Sequence, residues 1–279
     1  MIILDGKILS QKILNNLSLE IGNLGINKPT LDIIIVGSDP ASQKYVSLKQ
    51  QKAQSIGISG NVHQLDQNST TEEVLSLVEK LNNDQNVSAF MIQLPLPSQI
   101  NTQKVLSKID PQKDADGLSP FNLGLLFQKE STGIASATAW GIIKLLEEYQ
   151  IDLNGKNAVI IGRSPEVSVP LFALLLGKNA TVTICHSHTQ NLKEICQKAD
   201  ILISSIGKAK FLNKDFVKEG AVIIDVGFSF YSNGKVSGDF DFDEVSQVAE
   251  FITPVPGGVG PMTISSLLFN TVNISKKNF

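Results

Sequence analysis

A lysine with chemically useful neighbours stands out in the first half of the chain. Tyr45 and Lys49 are four residues apart in a segment of helical periodicity, so they are predicted to share one helix face. Gln93 ends an apolar run, and Asp114 and Asp116 follow in a loop rich in turn residues. A lysine buried beside an amide and a carboxylate has a shifted pKa and can transfer protons. The alternative for this pair is an exposed lysine beside a half-buried tyrosine.

A second stretch that could do chemistry is ITPVPGGVGPMT, residues 252–263. Three prolines and three glycines lie within it, and it carries no charged residue. Glycine lets the main chain approach a ligand because it has no Cβ, and proline restricts φ. The composition favours a surface on which a flat ligand lies against the backbone. A plain strand-to-helix turn would have a similar composition.

The stretch NAVIIGRSPEV, residues 157–167, is an apolar run that leads into Gly162 and then a predicted helix. In dinucleotide-binding folds the pyrophosphate lies at the first such strand-to-helix turn, against the helix N-terminus. The glycine fingerprint is incomplete here, because Ser164 and Val167 stand where the other glycines would be. By itself the motif is therefore weak support for nucleotide binding.

The next predicted strand, within residues 180–188, indicates which nucleotide would bind. It ends without the acidic residue that accepts the ribose hydroxyls of NAD. Arg163 follows the preceding strand, and His186, Ser187 and His188 follow this one. A cation and hydroxyl donors at this place would suit a 2′-phosphate, so the pattern predicts NADP. The same side chains would also be ordinary on a protein surface.

Short apolar runs alternate with segments of helical periodicity along the chain. Several runs are continuously apolar, which is typical of strands buried on both faces of a parallel sheet. The predicted strands are 31–37, 61–65, 88–94, 157–162, 180–186, 199–207, 220–227 and 251–255. Helices are predicted between them, and Ser69 with Glu72 has capping-box spacing at the start of one of these. The alternation predicts an α/β fold with right-handed crossovers.

Two domains are predicted for this chain of 279 residues. Residues 138–156 have helical periodicity followed by a polar, glycine-containing turn. We therefore predict two α/β domains with a catalytic cleft between them. The first covers 1–139, and the second, a Rossmann-like parallel-sheet nucleotide domain, covers 140–260. The tail, 261–279, is predicted to be a helix that packs back on the first domain.

The composition argues against several classes of partner. A net charge of −3 gives no electrostatic reason to expect nucleic acid or an anionic membrane. No apolar run approaches the ~18 residues of a membrane span, and the N-terminus lacks the features of a signal peptide. Cys185 and Cys196 are too few for a disulfide framework, so we expect buried free thiols and a cytoplasmic protein.

Seven stretches together resemble one known family. They are GSDPASQKYVSLK, IQLPLP, KDADGLSPFNLG, GRS, ATVTICHS, GAVIIDVG and ITPVPGGVGPMT. In this order and spacing they are similar to the bifunctional methylenetetrahydrofolate dehydrogenase/methenyltetrahydrofolate cyclohydrolase family, the FolD type. The resemblance runs from about residue 5 to about residue 273. QLPLP and PVPGGVGPMT are highly specific in combination.

The resemblance implies an enzyme of one-carbon metabolism. Members of this family oxidise 5,10-methylenetetrahydrofolate to 5,10-methenyltetrahydrofolate with NADP⁺, and they hydrolyse the product to 10-formyltetrahydrofolate in the same cleft. The implied partners are tetrahydrofolate derivatives and a second copy of the chain, since the family usually forms a homodimer through the nucleotide domain. No metal site is expected.

The resemblance also implies the roles of individual residues. Lys49 matches the catalytic lysine, Tyr45 the tyrosine that stacks on the folate ring, and Gln93 the residue that tunes the lysine. Asp116 matches the carboxylate that holds the pterin. The other substrate-side positions are Leu94, Val255, Pro256, Gly257 and Gly258. The NADP-contacting positions are Thr138, Gly162, Arg163, Ser164, Ser187, Gly227 and Phe228.

The chain departs from the usual family pattern on the nucleotide side. SATAWG at residues 136–141 replaces a segment with two prolines and a cysteine, Glu166 replaces an apolar residue, and Ser168 replaces a glycine. Glu166 would repel a pyrophosphate at the same helix end, and Ser168 adds bulk where helix and strand approach closely. Ala115, where valine is common, is a mild change. We therefore expect cyclohydrolase activity to survive and NADP affinity to be weak or altered.

The main prediction is a bifunctional one-carbon enzyme, and three alternatives stay open. One is a cyclohydrolase with weakened or lost dehydrogenase activity, which the substituted nucleotide side would explain. Another is a folate- or nucleotide-binding protein without turnover, against which the intact lysine argues. The last is an unrelated Rossmann dehydrogenase, against which PVPGGVGP argues.

Overall fold

The chain divides into two compact units of parallel strands and helices. The computed structural model describes residues 1–25, 28–128, 133–230 and 236–277. The six-stranded unit comprises Met1–Gln11 and Thr138–Thr263, and the three-stranded unit comprises Lys12–Ala137 and Ile264–Phe279. Both sheets are parallel, so the predicted α/β class with two units is confirmed.

One parallel sheet forms the centre of the six-stranded unit. Its strands are β1 (Ile2–Ile3), β5 (Asn157–Ile161), β6 (Thr181–Cys185), β7 (Ile201–Ser204), β8 (Val222–Asp225) and β11 (Phe251–Ile252). Their spatial order is β1-β11-β8-β7-β5-β6. From β5 the chain moves outward to β6 and then returns to β7 on the other side, so the strand order reverses beside β5. Ligands of open α/β sheets bind at the carboxyl ends of the strands at such a reversal.

Strands β7 and β8 are buried along their whole length, which explains why their sequences are continuously apolar. Cys185 and Cys196 are both buried free thiols, as predicted. A short antiparallel hairpin, which the sequence did not predict, is formed by β9 (Ser229–Phe230) and β10 (Val236–Ser237). The helices of this unit are α6 (Ala137–Glu148), α7 (Ser168–Gly177), α8 (Leu192–Cys196), α9 (Phe242–Val245) and the 3₁₀ turn Lys214–Phe216.

The three-stranded unit has a smaller parallel sheet. Its strands are β2 (Leu31–Val36), β3 (Val62–Leu65) and β4 (Ala89–Ile92), in the order β3-β2-β4. Its helices are α2 (Pro40–Ser55), α3 (Thr71–Asn83), α4 (Thr102–Leu106) and α5 (Pro120–Phe127). Two longer helices, α1 (Gly6–Gly22) and α10 (Val259–Lys277), contribute residues to both units. No helix in the described part of the chain is long and apolar enough to cross a membrane.

The start of α3 corrects one expectation. The capping box is formed by Thr70 and Glu73, not by Ser69 and Glu72. The Thr70 hydroxyl accepts a hydrogen bond from the Glu73 amide at 3.2 Å, and the Glu73 carboxylate accepts one from the Thr70 amide at 2.7 Å. Ser69 lies one residue earlier, where its amide donates to the Asp66 carbonyl in a turn. Both pairs have the same spacing, so spacing alone could not choose between them.

The first residues of the chain belong to a different unit from the one that the predicted boundary at residue 139 gives them. Ile2 and Ile3 pair with Phe251 and Ile252, so β1 is the edge strand of the six-stranded sheet. Leu4, which belongs to the same unit, is fully buried, and its amide donates to the Ile252 carbonyl at 2.9 Å. A two-residue strand has no readable periodicity, and its partner lies near the other end of the chain.

Candidate active site

Helix α2 places Tyr45 and Lys49 one turn apart. The helix starts at Pro40, and the Asp39 side chain caps it by accepting a hydrogen bond from the Ser42 amide at 2.8 Å. Lys49 is only 3% exposed, and its Nζ lies 4.8 Å from the centroid of the Tyr45 ring. The structure therefore has a buried lysine against an aromatic face, and not the exposed lysine of the alternative interpretation.

Two side chains from β4 and the residue after it contact the Lys49 amine. Nζ donates to the Gln93 Oε1 at 3.1 Å and lies 3.3 Å from the Met91 sulfur. The Gln93 amide nitrogen donates to the Leu94 carbonyl at 2.7 Å, so its oxygen faces the lysine. Leu94 is joined to Pro95 by a cis peptide bond. Sequence reasoning found Gln93 but not Met91, because the apolar run around Met91 reads as ordinary core.

Burial holds the pKa of Lys49 below the usual range of a lysine, and the Asp116 carboxylate acts in the opposite direction. Desolvation lowers a lysine pKa because it disfavours the charged form. The partners that touch the amine, an amide oxygen and a thioether, are neutral and do not restore the stability that an ion pair would give. A lysine with a lowered pKa has a larger neutral fraction at a given pH, and the neutral amine can accept a proton.

The two aspartates of the KDADG segment have different surroundings. Asp114 is 1% exposed, and its carboxylate accepts hydrogen bonds from the Ser119 amide at 2.7 Å and the Asn122 side chain at 3.0 Å. These hydrogen bonds connect Asp114 to residues five and eight positions later in the chain and so hold the intervening loop in place. Asp116 is partly exposed and is electrostatically coupled to Lys49. Of the two, Asp116 is therefore the one that a ligand could reach, and the substrate-binding role implied by the resemblance stays a prediction.

The glycines of PVPGG have demanding local geometry. Gly257 has φ +117°, which glycine adopts without strain. A Cβ on Gly258 would lie 2.7 Å from the Pro254 carbonyl oxygen, so the main chain packs against itself here. The Val255–Pro256 bond is cis, and Pro256 is exposed. These facts explain the two glycines structurally, and the proposed ligand wall formed by this loop stays a prediction.

The turn between β5 and α7 is the candidate nucleotide site. Gly162 has φ +131°, and a Cβ on it would lie 2.5 Å from the Ser205 hydroxyl. Ser168 is fully buried, and its hydroxyl lies 3.0 Å from that of Ser205. The bulk of Ser168 is therefore accommodated by a hydrogen bond beside Gly162. Ser164, in the same turn, accepts a hydrogen bond from the Val167 amide at 3.2 Å.

Arg163 and Ser187 lie at the same edge of the sheet. Ile161 at the end of β5 pairs with Cys185 at the end of β6 in parallel register. Arg163 lies two positions after Ile161, and Ser187 lies two positions after Cys185. Both side chains are exposed. An exposed cation and a hydroxyl at neighbouring strand ends, without an acidic residue after β6, form a donor set that fits a phosphorylated ribose. Glu166 is partly exposed in the turn directly before α7.

The remaining predicted cofactor residues are also in the six-stranded unit. The Thr138 hydroxyl lies 3.1 Å from that of Thr263, at the start of α6. The Gly227 amide donates to the Asp225 carboxylate at 3.0 Å, and a Cβ on Gly227 would lie 2.2 Å from the Asp239 carboxyl carbon. Phe228 is 56% exposed. Gly227 and Phe228 lie in the loop after β8, at the same carboxyl-terminal edge of the parallel sheet as the turn at Gly162.

Two buried carboxylates that the sequence did not single out hold these loops. Asp225 accepts hydrogen bonds from the amides of Gly227 and Asp239, and Asp239 accepts them from the amides of Ile206 and Lys208. Burial raises the pKa of Asp225 to about 7, and the Asp239 charge acts in the same direction. The pair links the loops after β7 and β8. Only the tertiary fold brings the two residues together, so no local sequence signal could have found them.

Within the described ranges, no group of three or more His, Cys, Asp or Glu side chains could hold a metal ion. The predicted folate-side residues Tyr45, Lys49, Gln93, Leu94 and Asp116 all belong to the three-stranded unit. The other predicted residues, 138, 162–164, 187, 227–228 and 255–258, all belong to the six-stranded unit.

Comparisons with known proteins give a consistent result over the whole chain. Residues 4–116 match the family described as "Tetrahydrofolate dehydrogenase/cyclohydrolase, catalytic domain", and residues 136–279 match the one described as "Tetrahydrofolate dehydrogenase/cyclohydrolase, NAD(P)-binding domain". A protein named "Bifunctional protein FolD" from Methanoculleus marisnigri is 48% identical over 274 residues, which cover 98% of this chain and 96% of that protein.

Solved structures agree. The bifunctional enzyme FolD from Campylobacter jejuni, a methylenetetrahydrofolate dehydrogenase/cyclohydrolase, superposes with a TM-score of 0.97 at 43% identity and covers 100% of both chains. The Trypanosoma brucei enzyme, complexed with NADP cofactor and an inhibitor, superposes with a TM-score of 0.94 at 35% identity and covers 99% of this chain and 98% of its own. The chain therefore belongs to the tetrahydrofolate dehydrogenase/cyclohydrolase family.

Proposed function

We propose that this chain is a bifunctional enzyme that oxidises 5,10-methylenetetrahydrofolate with NADP⁺ and hydrolyses the resulting 5,10-methenyltetrahydrofolate, with Lys49 as its proton-transfer group. The observation that carries the proposal is the buried Lys49 amine, bound by Gln93 and lying against the Tyr45 ring. A protein that only binds folate would have no use for a desolvated lysine, because burying an amine without an ion-pair partner is unfavourable.

In the hydrolysis, water adds to the methenyl carbon and the neutral Lys49 amine accepts the proton that the water loses. The resulting hydroxyl group loses its own proton as the carbon–oxygen double bond of the formyl group forms. The bond from this carbon to N5 breaks at the same time, and its electron pair stays on N5, which takes up one proton. The products are 10-formyltetrahydrofolate and one released proton. Gln93 holds the amine in place through its carbonyl oxygen, and Tyr45 offers an aromatic face for the flat ring of the substrate.

We assign Asp116 to substrate binding. Its carboxylate is partly exposed and can accept two hydrogen bonds from the N–H edge of the pterin. It also opposes the effect of burial on Lys49, so substrate binding at Asp116 would alter the charge that the lysine experiences. The substrate-side roles of Leu94, Val255, Pro256, Gly257 and Gly258 belong to the same proposal.

For the oxidation, bound NADP⁺ would supply the acceptor for the hydride that leaves the methylene carbon. The residues present fit this cofactor, because the turn at Gly162 precedes the N-terminus of α7 and Arg163 and Ser187 lie at neighbouring strand ends. The buried pair Asp225 and Asp239 fixes the loop that carries Gly227 and Phe228.

A cyclohydrolase with weakened dehydrogenase activity is the second candidate, and Glu166 favours it. Glu166 lies two residues before the first residue of α7, where a negative charge opposes a bound pyrophosphate. Ser168, by contrast, no longer argues for it, because its hydroxyl pairs with Ser205. We further propose a homodimer, a cytoplasmic location, and a division of function at about residue 139, with residues 140–260 serving the nucleotide.

The test uses purified wild type and Lys49→Ala in two assays, with Lys44→Ala as the matched control. Lys44 is an exposed lysine on the same helix. Loss of methenyltetrahydrofolate is followed without nucleotide, and its formation is followed with NADP⁺ and then NAD⁺. We expect Lys49→Ala to lower hydrolysis by about 10²-fold or more while Lys44→Ala retains it. Equal rates in all three proteins would contradict the proposal, and hydrolysis without oxidation in wild type would select the second candidate.

A further inference from the structure

A buried asparagine on the C-terminal helix holds the loop that carries Asp116. Asn270 is 6% exposed on α10, within the part of that helix that belongs to the three-stranded unit. Its side-chain nitrogen donates to the Ala115 carbonyl at 2.9 Å and to the Ala135 carbonyl at 3.0 Å. Both partners are carbonyl oxygens, so the NH₂ group must face them, and both of its hydrogens are used.

The two carbonyls come from segments that are pressed against each other. Ala115 directly precedes Asp116, and the Asp116 carbonyl accepts a hydrogen bond from the Ala137 amide at 3.1 Å. A Cβ on Gly117 would lie 2.6 Å from the Ala135 carbonyl oxygen, so the main chains touch here. Asn270 therefore bridges Ala115, the residue before Asp116, and Ala135, which belongs to the segment that is hydrogen-bonded to the Asp116 backbone.

The loop is also fixed from the other side. The Ala115 amide donates to the Phe90 carbonyl of β4 at 3.1 Å, so this short stretch pairs with the strand that delivers Met91 and Gln93. Asn270 satisfies the carbonyl of the same residue whose amide joins the sheet. Hydrogen bonds to β4 and to α10 therefore fix the backbone of the residue directly before Asp116.

We propose that Asn270 is a positioning residue for substrate binding, acting through Asp116 to hold the carboxylate where it meets the pterin. The inference rests on the proposed role of Asp116. It gives the C-terminal helix a function in substrate binding beyond packing. Since Asp116 is assigned to binding and Lys49 to chemistry, loss of Asn270 should raise KM more than it lowers kcat.

The variant to test is Asn270→Leu, which has a similar size and no hydrogen-bond donor. Thr271→Val is the matched control, because Thr271 is the adjacent buried residue and its hydroxyl donates to the Leu267 carbonyl of its own helix. Hydrolysis of methenyltetrahydrofolate without nucleotide gives KM and kcat. We expect Asn270→Leu to raise KM about tenfold with kcat within about threefold, Thr271→Val to leave both near wild type, and the affinity for NADP⁺ to be unchanged.

A double-mutant cycle separates positioning from a general loss of structure. In an Asp116→Ala background the Asn270 substitution should no longer raise KM, because it acts through the missing carboxylate. A KM rise of the same size in both backgrounds, or one no larger than that of Thr271→Val, would overturn the inference. Asp116→Ala with wild-type KM would instead overturn the proposed role of Asp116. If Asn270→Leu does not fold, Asn270→Ser, too short to span both carbonyls, takes its place in the same cycle.

Discussion

At the scale of one residue, the burial of Lys49 has two opposite effects. It lowers the pKa of the amine, which suits proton transfer, and it lowers the stability of the folded protein. Burial lowers its pKa, and the amine gains two neutral acceptors but no direct ion pair among the described contacts. A group whose pKa is lower in the folded protein than in the unfolded chain binds fewer protons when folded. Stability therefore rises with pH through the interval between the two pKa values, and the full destabilisation is present below that interval.

The first prediction follows from this sign. Lys49→Met keeps a long unbranched side chain and removes the buried amine, so it should abolish hydrolysis and raise the free energy of unfolding. The gain should be largest at pH values below the lowered pKa of Lys49 and should shrink as the pH rises towards 10.5, the ordinary value for lysine. Urea unfolding at several pH values measures it.

The same measurement on Lys44→Met supplies the control. This exposed residue of α2 undergoes the same chemical change without burial, so its effect should stay within about 0.5 kcal/mol at every pH. A stabilisation by Lys49→Met that does not vary with pH would show that better packing, and not proton binding, is responsible.

At the scale of elements, the turn before α7 contains two departures from the family pattern with different consequences. The fold accommodates Ser168, whereas the charge of Glu166 would oppose a bound phosphate. Ser168 is fully buried, yet its hydroxyl has a partner in Ser205, so the added atoms do not disturb the approach of helix and strand. The Glu166 carboxylate lies two residues before α7, near the positive end of the helix dipole. This charge stabilises the helix and competes with any anion at the same place.

The second prediction is that Glu166→Gln tightens NADP⁺ binding. A unit charge about 6–8 Å from a phosphate at a partly exposed site contributes about 1 kcal/mol, which corresponds to about a fivefold lower Kd. The effect should shrink as salt is raised from 20 to about 300 mM, because screening weakens the repulsion. Nucleotide titration followed by calorimetry measures both effects.

Glu219→Gln is the matched control for this change. Glu219 lies just before β8, at the amino end of the strands and therefore at the opposite edge of the sheet from the turn at Gly162. The same loss of charge there should leave Kd unchanged. If Glu166→Gln and Glu219→Gln shift Kd equally, net charge and not position determines the affinity.

At the scale of the whole molecule, periodicity predicted the seven strands of four to six residues in the described part of the chain and the position of the two-residue β11. It did not predict the elements that depend on distant partners. Apolar runs report local burial, and so 31–37 or 157–162 could be read directly and match β2 and β5. β1 has two residues, and its partner β11 lies near the other end of the chain, so no local pattern predicts β1. The capping box was displaced by one residue because two polar pairs share the same spacing.

The candidate site followed the same rule. Lys49, Gln93 and Asp116 could be predicted as site residues because their residue types and motifs are informative on their own. Met91, Asn270 and Asp239 were missed, since each acts through a contact that exists only after folding: a sulfur against an amine, an amide across two carbonyls, a carboxylate beneath a loop. Residues proposed to do chemistry can be predicted from the sequence, whereas the contacts that would position them depend on the fold.

The pairing of β1 with β11 gives the last prediction. The six-stranded unit is assembled from the first eleven residues and a segment that begins at Thr138, so its sheet edge depends on residues far apart in the chain. Leu4 is fully buried there, and Leu4→Ala should destabilise the unit by about 2–4 kcal/mol, whereas Ile8→Ala, at a residue that is 69% exposed, should change stability by less than about 0.5 kcal/mol. Trp140 is the single tryptophan and belongs to the same unit, so its fluorescence during urea unfolding reports on it. Equal unfolding midpoints for the two variants would mean that the N-terminal strand is only an attachment to a sheet that is stable without it.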